Sequence, residues 1–97
     1  MSRKDGNMDK QDRIIEVLTE ENECSILYTG MNEALLGVYR NPDLDYAPVA
    51  VYSYTKYIEI LTSQGMDEEE AIEFFDFNVV GGYLGIHQPI IIDDTGV

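Results

Sequence analysis

Positive charge is scarce in this chain. Six Lys and Arg residues stand against nineteen Asp and Glu in 97 residues, a formal net charge of −13. Tryptophan is absent, and there are one cysteine, one histidine and three prolines. Each shortage excludes something. A single thiol, Cys24, cannot close an intrachain disulfide or build a cysteine-based metal cluster, and it suits a reducing cytoplasm. One imidazole, His87, falls short of the three or four ligands a zinc site needs. No apolar run approaches the roughly 18 residues of a membrane span, and the opening Met1–Asp12 segment lacks the apolar centre of a signal peptide. With so few cations there is no counterion release to gain, so direct binding to nucleic acid or to an anionic membrane is not expected.

The acidity that is present is uneven. Residues 1–13 carry Arg3, Lys4, Lys10 and Arg13 against Asp5, Asp9 and Asp12, about +1. The rest holds sixteen acids against only Arg40 and Lys56, which leaves −14. A domain with that density projects a negative field that attracts cations or a basic protein surface, such as the groove of a nucleic-acid-binding protein. The plainer account is that the acids keep a small protein soluble. Hydrophobic residues make up 44% of the chain, and there are seven Tyr and three Phe, too many for a disordered acidic tail. The length allows one domain, read as residues 9–97 behind a disordered lead-in over residues 1–8. The core is small, so assembly into a homodimer would help stability.

Local signals give an outline. Asp9 can cap a helix over residues 10–21, where Ile14, Ile15, Val17 and Leu18 form one apolar stripe. Glu20, Glu21 and Glu23 oppose its dipole, so that end is expected to fray. Ser25–Thr29 and Ala34–Tyr39 read as strands. Asn41-Pro42-Asp43 is a turn signal, and Pro48–Tyr52 is the clearest strand, with Pro48 at its first position, where a missing N–H is tolerated. Together the latter two make a hairpin. Ser53 can cap a helix over residues 54–64 that buries Tyr57, Ile58 and Leu61, with Gly65 just beyond its end. Asp67 and Glu70 have capping-box spacing for a third helix, with Met66 placed to staple onto Ala71. There Ile72, Phe75 and Val79 form the buried stripe, and Gly81-Gly82 ends it. Pro89–Ile92 is a continuous apolar run that reads as a central strand. The expected fold is α+β: three helices packed on a small, mainly antiparallel sheet, the second and third forming a helical hairpin across one face. Phe75, Ile72, Val79, Leu61, Ile58, Val49, Val51, Ile90 and Ile92 are expected to be buried together.

Chemistry-bearing patterns are short. Ser53-Tyr54-Thr55-Lys56 fits a Ser-x-x-Lys pattern without its companion motifs, and Ser53 already serves as a helix cap. Cys24 with His87 would make a nucleophile pair if the fold joined them, although a small buried hydrophobe is the default for the cysteine. The Gly81–Gly85 loop follows a helix, the reverse of the order in phosphate-cradling loops. Asp67–Glu70 with Glu73 and Asp76 lack the spacing of an EF-hand. No metal and no cofactor is expected. Tyrosine combines large contact area with a polar tip and is enriched in binding surfaces. Tyr46, beside Asp43 and Asp45, and Tyr54 are the surface candidates. Acids beside aromatics imitate phosphates beside bases, which suits a protein that occupies a nucleic-acid groove. The expected protein-binding set is therefore Asp43, Asp45, Tyr46, Tyr54, Asp67, Glu68, Glu69, Glu70, Glu73 and Asp76.

The stretch from Gly65 to Gly85, followed by Pro89-Ile90, resembles a family of small acidic proteins of phages, other viruses and some microbial genomes. That family's pattern reads EEA.E.F.FN..GAY.G and then TPI. Glu33–Val38 and Pro48–Tyr52, leading into Lys56–Leu61, are similar too, so the resemblance covers residues 28–92. Gly82 stands where the family usually has Ala, and Ile86-His87-Gln88 departs from its polar Glu-x-Thr. The resemblance supplies no catalytic residues. It implies a host-directed interaction protein, such as an inhibitor of an antiviral-defence or CRISPR component, working in the host cytoplasm. Three readings result. The first is a non-enzymatic acidic protein that blocks a basic, nucleic-acid-binding host protein, which needs clustered acids with tyrosines among them. The second is a small-ligand binder with a pocket near Gly81–Gly85. The third is a small enzyme with His87 in a cleft beside a carboxylate such as Asp93 or Glu73.

Overall fold

Helix caps set the outline. The computed structural model describes residues 9–96, and the lead-in over residues 1–8 lies outside the described residues. Asp9 accepts the Asp12 N–H at 2.9 Å and starts helix α1, Lys10–Glu21. Strand β1 is Leu35–Asn41 and strand β2 is Ala47–Ser53. Ser53 accepts the Lys56 N–H at 3.0 Å and starts helix α2, Tyr54–Ser63. Helix α3, Glu68–Phe75, opens with a complete capping box. Asp67 accepts from the Glu70 N–H at 2.8 Å, and Glu70 accepts from the Asp67 N–H at 3.0 Å. One π-helical turn, Asp76–Val80, extends it. Strand β3 is Ile90–Ile92. The fold is α+β, with three α-helices and a three-stranded mixed sheet among the described residues.

The sheet order is β1-β2-β3. β1 and β2 are an antiparallel hairpin from Leu35↔Tyr52 to Asn41↔Ala47, with an irregularity at Leu36. β3 runs parallel to β2 from Val51↔Ile90 to Ser53↔Ile92. Register sorts the side chains, because successive residues of a strand point to opposite faces. Val38, Ala50, Tyr52 and Ile91 face the helices. Gly37, Tyr39, Val49, Val51, Ile90 and Ile92 face the other way.

Five expectations are corrected by the structure. Pro89–Ile92 is not a central strand: its last three residues form an edge, and β2 is central. Ile90–Ile92 is apolar throughout because the outer face of the sheet is apolar as well. Ser25–Thr29 is not a strand. The segment runs as irregular chain along the margin of the core, with Leu27 and Thr29 exposed and Tyr28 N–H donating to the Tyr52 hydroxyl at 2.8 Å. Pro48 is the second residue of β2, opposite Arg40; β3 reaches only Val51–Ser53, so no third strand calls for a proline N–H. Val49, Val51, Ile90 and Ile92 do not join the helix stripes, since they lie on the opposite face. Ile72 is exposed: the buried line of the third helix is Ala71, Phe75 and Val79.

The core joins α1 (Ile14, Leu18), the chain before β1 (Met31, Ala34, Leu35), β2 (Ala50, Tyr52), α2 (Tyr57, Ile58, Leu61) and α3 with its extension (Ala71, Phe75, Val79). Met66 packs against the same core. The acidic end of α1 is held by Arg40, whose guanidinium forks onto Glu21 at 2.7 and 3.2 Å. That hydrogen bond lowers the Glu21 carboxyl below its usual range. The second half of the chain is fastened by Asp94. One carboxylate oxygen accepts the Ser53 hydroxyl at 2.6 Å. The other accepts the Thr55 N–H at 3.0 Å and the Thr55 hydroxyl at 2.8 Å. A residue from beyond β3 thus acts as a second cap on α2.

Two outcomes test this architecture. Phe75 is buried against Tyr54 and Tyr57, with ring centroids 4.9 and 5.2 Å away. Phe75→Ala should cost about 3–5 kcal/mol in denaturant unfolding, and an unchanged midpoint would refute the packing. Asp94 titrates at about 2 against an ordinary 3.8, chiefly because Ser53 donates to it and next because of the Thr55 N–H. A carboxyl lowered by folding contributes stability above its unfolded value and loses it as pH falls through its folded one. Between about pH 4 and 2 the wild type should therefore lose stability more steeply than Asp94→Asn, measured as urea midpoints along a pH series.

Candidate functional site

The third helix carries its acids on the outside. Glu68, Glu69, Glu70, Glu73 and Asp76 are exposed, as is the cap Asp67. Asp67 and Glu70 are occupied in the capping box. The three ion pairs among the described residues use Glu16, Glu21 and Glu59, so Glu68, Glu69, Glu73 and Asp76 keep their charges uncompensated there.

The π turn at the end of the helix shapes the surface beside those acids. Gly81 N–H reaches back to the Asp76 carbonyl at 2.9 Å, a five-residue step that widens the last turn. Single π turns of this kind recur at functional sites. Val79 stays in the core, while Phe77 and Val80 turn outward. The chain then passes close over the turn it has just made. A Cβ on Gly82 would stand 2.9 Å from the Asn78 carbonyl oxygen, and one on Gly81 would stand 3.1 Å from that of Phe77. An alanine at position 82 would force this backbone apart. Gln88 fastens the loop beyond, accepting the Leu84 N–H at 3.1 Å and donating its own N–H to the Gly85 carbonyl at 3.1 Å.

The result is a run of exposed apolar side chains. Phe77 is 81% exposed, Tyr83 73%, Val80 70% and Ile86 65%, with Phe74 and Leu84 also open. A small monomer rarely leaves large apolar groups so bare without a partner for them. Helical spacing puts acids beside them: Glu70 is four residues before Phe74, and Glu73 four before Phe77. The helix thus presents aromatic anchors with carboxylates alongside. The acids of this surface belong to the expected set, but its apolar anchors do not. The sequence signal for them is an excess. Phe74, Phe75, Phe77, Val79, Val80, Tyr83, Leu84 and Ile86 are more than one buried stripe of a short helix can hide.

The remaining expected residues divide. Asp43, Asp45 and Tyr46 form the tip of the hairpin, where Asn41 caps the short turn Pro42–Leu44 and accepts the Asp43 N–H at 2.9 Å. Asp45 and Tyr46 are both left-handed, with φ of 57° and 65°. That conformation is uncommon for a bulky side chain, and it holds an exposed Tyr46 ring at the tip. Tyr54 is corrected: it is half-buried, edge-on against Phe75, and belongs to the core. Tyr46 and Tyr54 also flank opposite ends of β2, about 20 Å apart for a strand of that length, so they do not form one contact patch.

The catalytic candidates have other commitments. Ser53 is buried, accepts from Lys56 N–H and gives its proton to Asp94. Lys56 Nζ turns away to Glu59 at 2.9 Å. The Asn22 amide donates to the Pro48 carbonyl at 2.9 Å and meets His87 Nδ1 at 3.0 Å. Its Oδ1 accepts the Cys24 N–H at 3.1 Å. A carbonyl only accepts and an N–H only donates, so the amide orientation is fixed, and His87 faces it as the acceptor with its proton on Nε2. The ring is therefore held by an amide and not by Asp93, whose carboxylate takes the Thr95 hydroxyl at 2.6 Å. Cys24 is exposed, against the expectation of a buried one.

Among the described residues no three His, Cys, Asp or Glu side chains gather as a metal ion requires. No helix there is long and apolar enough to cross a membrane. Two described concavities lie on the outer face of the sheet and between α2 and α3, and Gly81–Gly85 lines neither of them. Comparison of the chain with protein-family models, curated proteins and solved structures returns no match.

The exposed placement of Phe77 has a simple consequence. Phe77→Asp should leave unfolding stability within about 0.5 kcal/mol of wild type. A loss as large as that of Phe75→Ala, in the same denaturant assay, would mean the ring is packed.

Proposed function

We propose that this chain is an acidic interaction protein that docks onto a basic, nucleic-acid-binding protein and blocks it. The observation that carries this reading is the exposed run Phe74–Ile86 with Glu69, Glu70, Glu73 and Asp76 beside it. The two parts of that surface do different work. Charges at the margin of an interface act mainly on encounter rate and partner choice. Aromatic groups that become fully desolvated hold the complex together. A net charge of −13 repels nucleic acid itself and favours proteins evolved to bind it. Carboxylates next to aromatic rings imitate phosphates next to bases. The resemblance to phage and viral proteins favours a partner among host defence proteins, a nuclease or CRISPR effector being the kind that fits. Tyr46 with Asp43 and Asp45 is a separate acidic tip available to a second contact.

The test begins with capture from host lysate at low salt and continues with kinetics on the basic protein identified. Glu69→Lys with Glu73→Lys should slow association and flatten its salt dependence. Phe77→Ala should raise the dissociation rate by about tenfold or more, the range of a central aromatic contact. Between about 50 and 500 mM salt the screening length falls from roughly 14 to 4 Å, and association should slow with it. Affinity indifferent to salt, or a partner bound equally well by the Phe77 variant, would refute the assignment.

A further inference from the structure

The sheet has a second face, and the helices do not use it. α1 packs against β1 and β2 from one side, where Ala50 and Tyr52 enter the core. On the other side lies a shallow groove of about 360 Å³, whose lining includes Leu36, Gly37, Tyr39, Val51, Ile90 and Ile92. Leu36, Tyr39 and Ile92 are exposed there. None of the lining residues is charged, in a chain where one residue in four is. We infer that this face is where two copies of the chain meet, sheet against sheet.

Three observations point to a second copy. The first is charge. Two chains of −13 each repel, and an approach through a groove lined by no acid avoids bringing carboxylates into direct contact. A basic partner gains nothing there, because the acids that would attract it are elsewhere. The second is shape. Gly37 and Tyr39 point to this face two residues apart. At Gly37 nothing lies within 4 Å of where a Cβ would stand, so the strand carries a hollow beside an exposed ring. A twofold axis sets the ring of each copy toward the hollow of the other, the self-complementarity that an isologous contact requires. The third is layering. A sheet with helices on one side and apolar side chains on the other is completed by a second sheet about 10 Å away. Area limits the strength. Two strands about 20 Å long and one about 10 Å long, spaced about 4.8 Å apart, offer roughly 240 Å² of face per copy. A standard stable interface takes about 800 Å² per partner. The dimer is therefore weak and reversible, dissociating on the order of tens of micromolar or above.

Salt separates this contact from the docking of a basic partner. Screening weakens attraction between opposite charges and relieves repulsion between like ones. Sedimentation velocity on the full chain, from about 5 to about 500 µM and at about 50 and 500 mM salt, should show a monomer–dimer equilibrium that tightens at the higher salt. Gly37→Glu should abolish the dimer at every concentration with an unchanged melting temperature, since the new side chain enters open space in the monomer. Should that variant fail to fold, Tyr39→Glu, at an exposed position, should have the same effect. Phe77→Asp should leave the dimer intact. A chain that stays monomeric at both salts, a dimer that loosens with salt, or one abolished by Phe77→Asp and spared by Gly37→Glu or Tyr39→Glu would each overturn the proposal. Of these results only a dimer abolished by Phe77→Asp bears on the docking of a basic partner at Phe74–Ile86; the others concern the sheet face alone.

Discussion

Tyr52 is the side chain on which the rest of this fold depends. It lies in the central strand with no solvent exposure, and its hydroxyl takes the N–H of Tyr28. Its ring stands 5.1 Å from that of Tyr28, which meets Tyr57 at 5.8 Å, which meets Phe75 at 5.2 Å. That column runs from the sheet through the irregular chain after α1 to α2 and α3. Offset and edge-on aromatic contacts add specific geometry to ordinary apolar burial. They let a 97-residue chain without tryptophan join four segments through one continuous path. Burial raises the phenols of Tyr28, Tyr52 and Tyr57 above the ordinary tyrosine value, so all three remain neutral in the interior.

Around that column the apolar residues divide three ways. One set fills the core. A second lines the groove on the outer face of the sheet, where none of the lining residues is charged. A third surrounds the end of α3 with acids beside it. A chain this small cannot hide all of its apolar surface, and where the remainder is left is informative. The two exposed sets differ in their electrostatic surroundings, and that difference decides what each can accept. The charge-free set tolerates a copy of itself. The acid-flanked set repels one and attracts cations.

Much of the fold is legible in the sequence because its signals are local. Asp9, Ser53 and the Asp67–Glu70 pair announce helix starts through hydrogen bonds spanning three residues. Gly65, at φ 110°, marks the end of α2 through a conformation that glycine adopts freely. The hairpin follows from Asn41-Pro42-Asp43 between two strand-like runs. The failures are all non-local. Ser25–Thr29 has strand-like residues, but Tyr28 gives its N–H to the Tyr52 hydroxyl and not to a neighbouring strand. Pro89–Ile92 looks central because hydrophobicity alone does not distinguish an edge strand with two apolar faces from a buried middle strand. Ile72 and Ala71 are adjacent in sequence, and helical periodicity does not decide which faces inward once a large Phe75 sets the depth. The position of Tyr54 at a helix start suggests an outward ring, yet Phe75 draws it in. The candidate site is half legible: its acids stand in plain sequence, but its aromatic anchors are visible only once the helix face is fixed.

The π turn joins fold to surface. Val79 must reach the core, since it closes the buried line of Ala71 and Phe75 four residues at a time. An ordinary α-helix advances about 3.6 residues per turn, so a four-residue line drifts steadily around the helix. Widening the turn at Asp76–Val80 offsets that drift and returns Val79 inward. The same widening leaves Phe77 and Val80 outside, and Gly81-Gly82 let the chain double back at a distance where a Cβ on Gly82 would strike the Asn78 carbonyl. The exposed aromatic surface is therefore a consequence of how the core is closed. A substitution that straightens this turn would have to withdraw Val79 from the core as it rearranges Phe77, so the anchors stay where they are as long as the domain is folded.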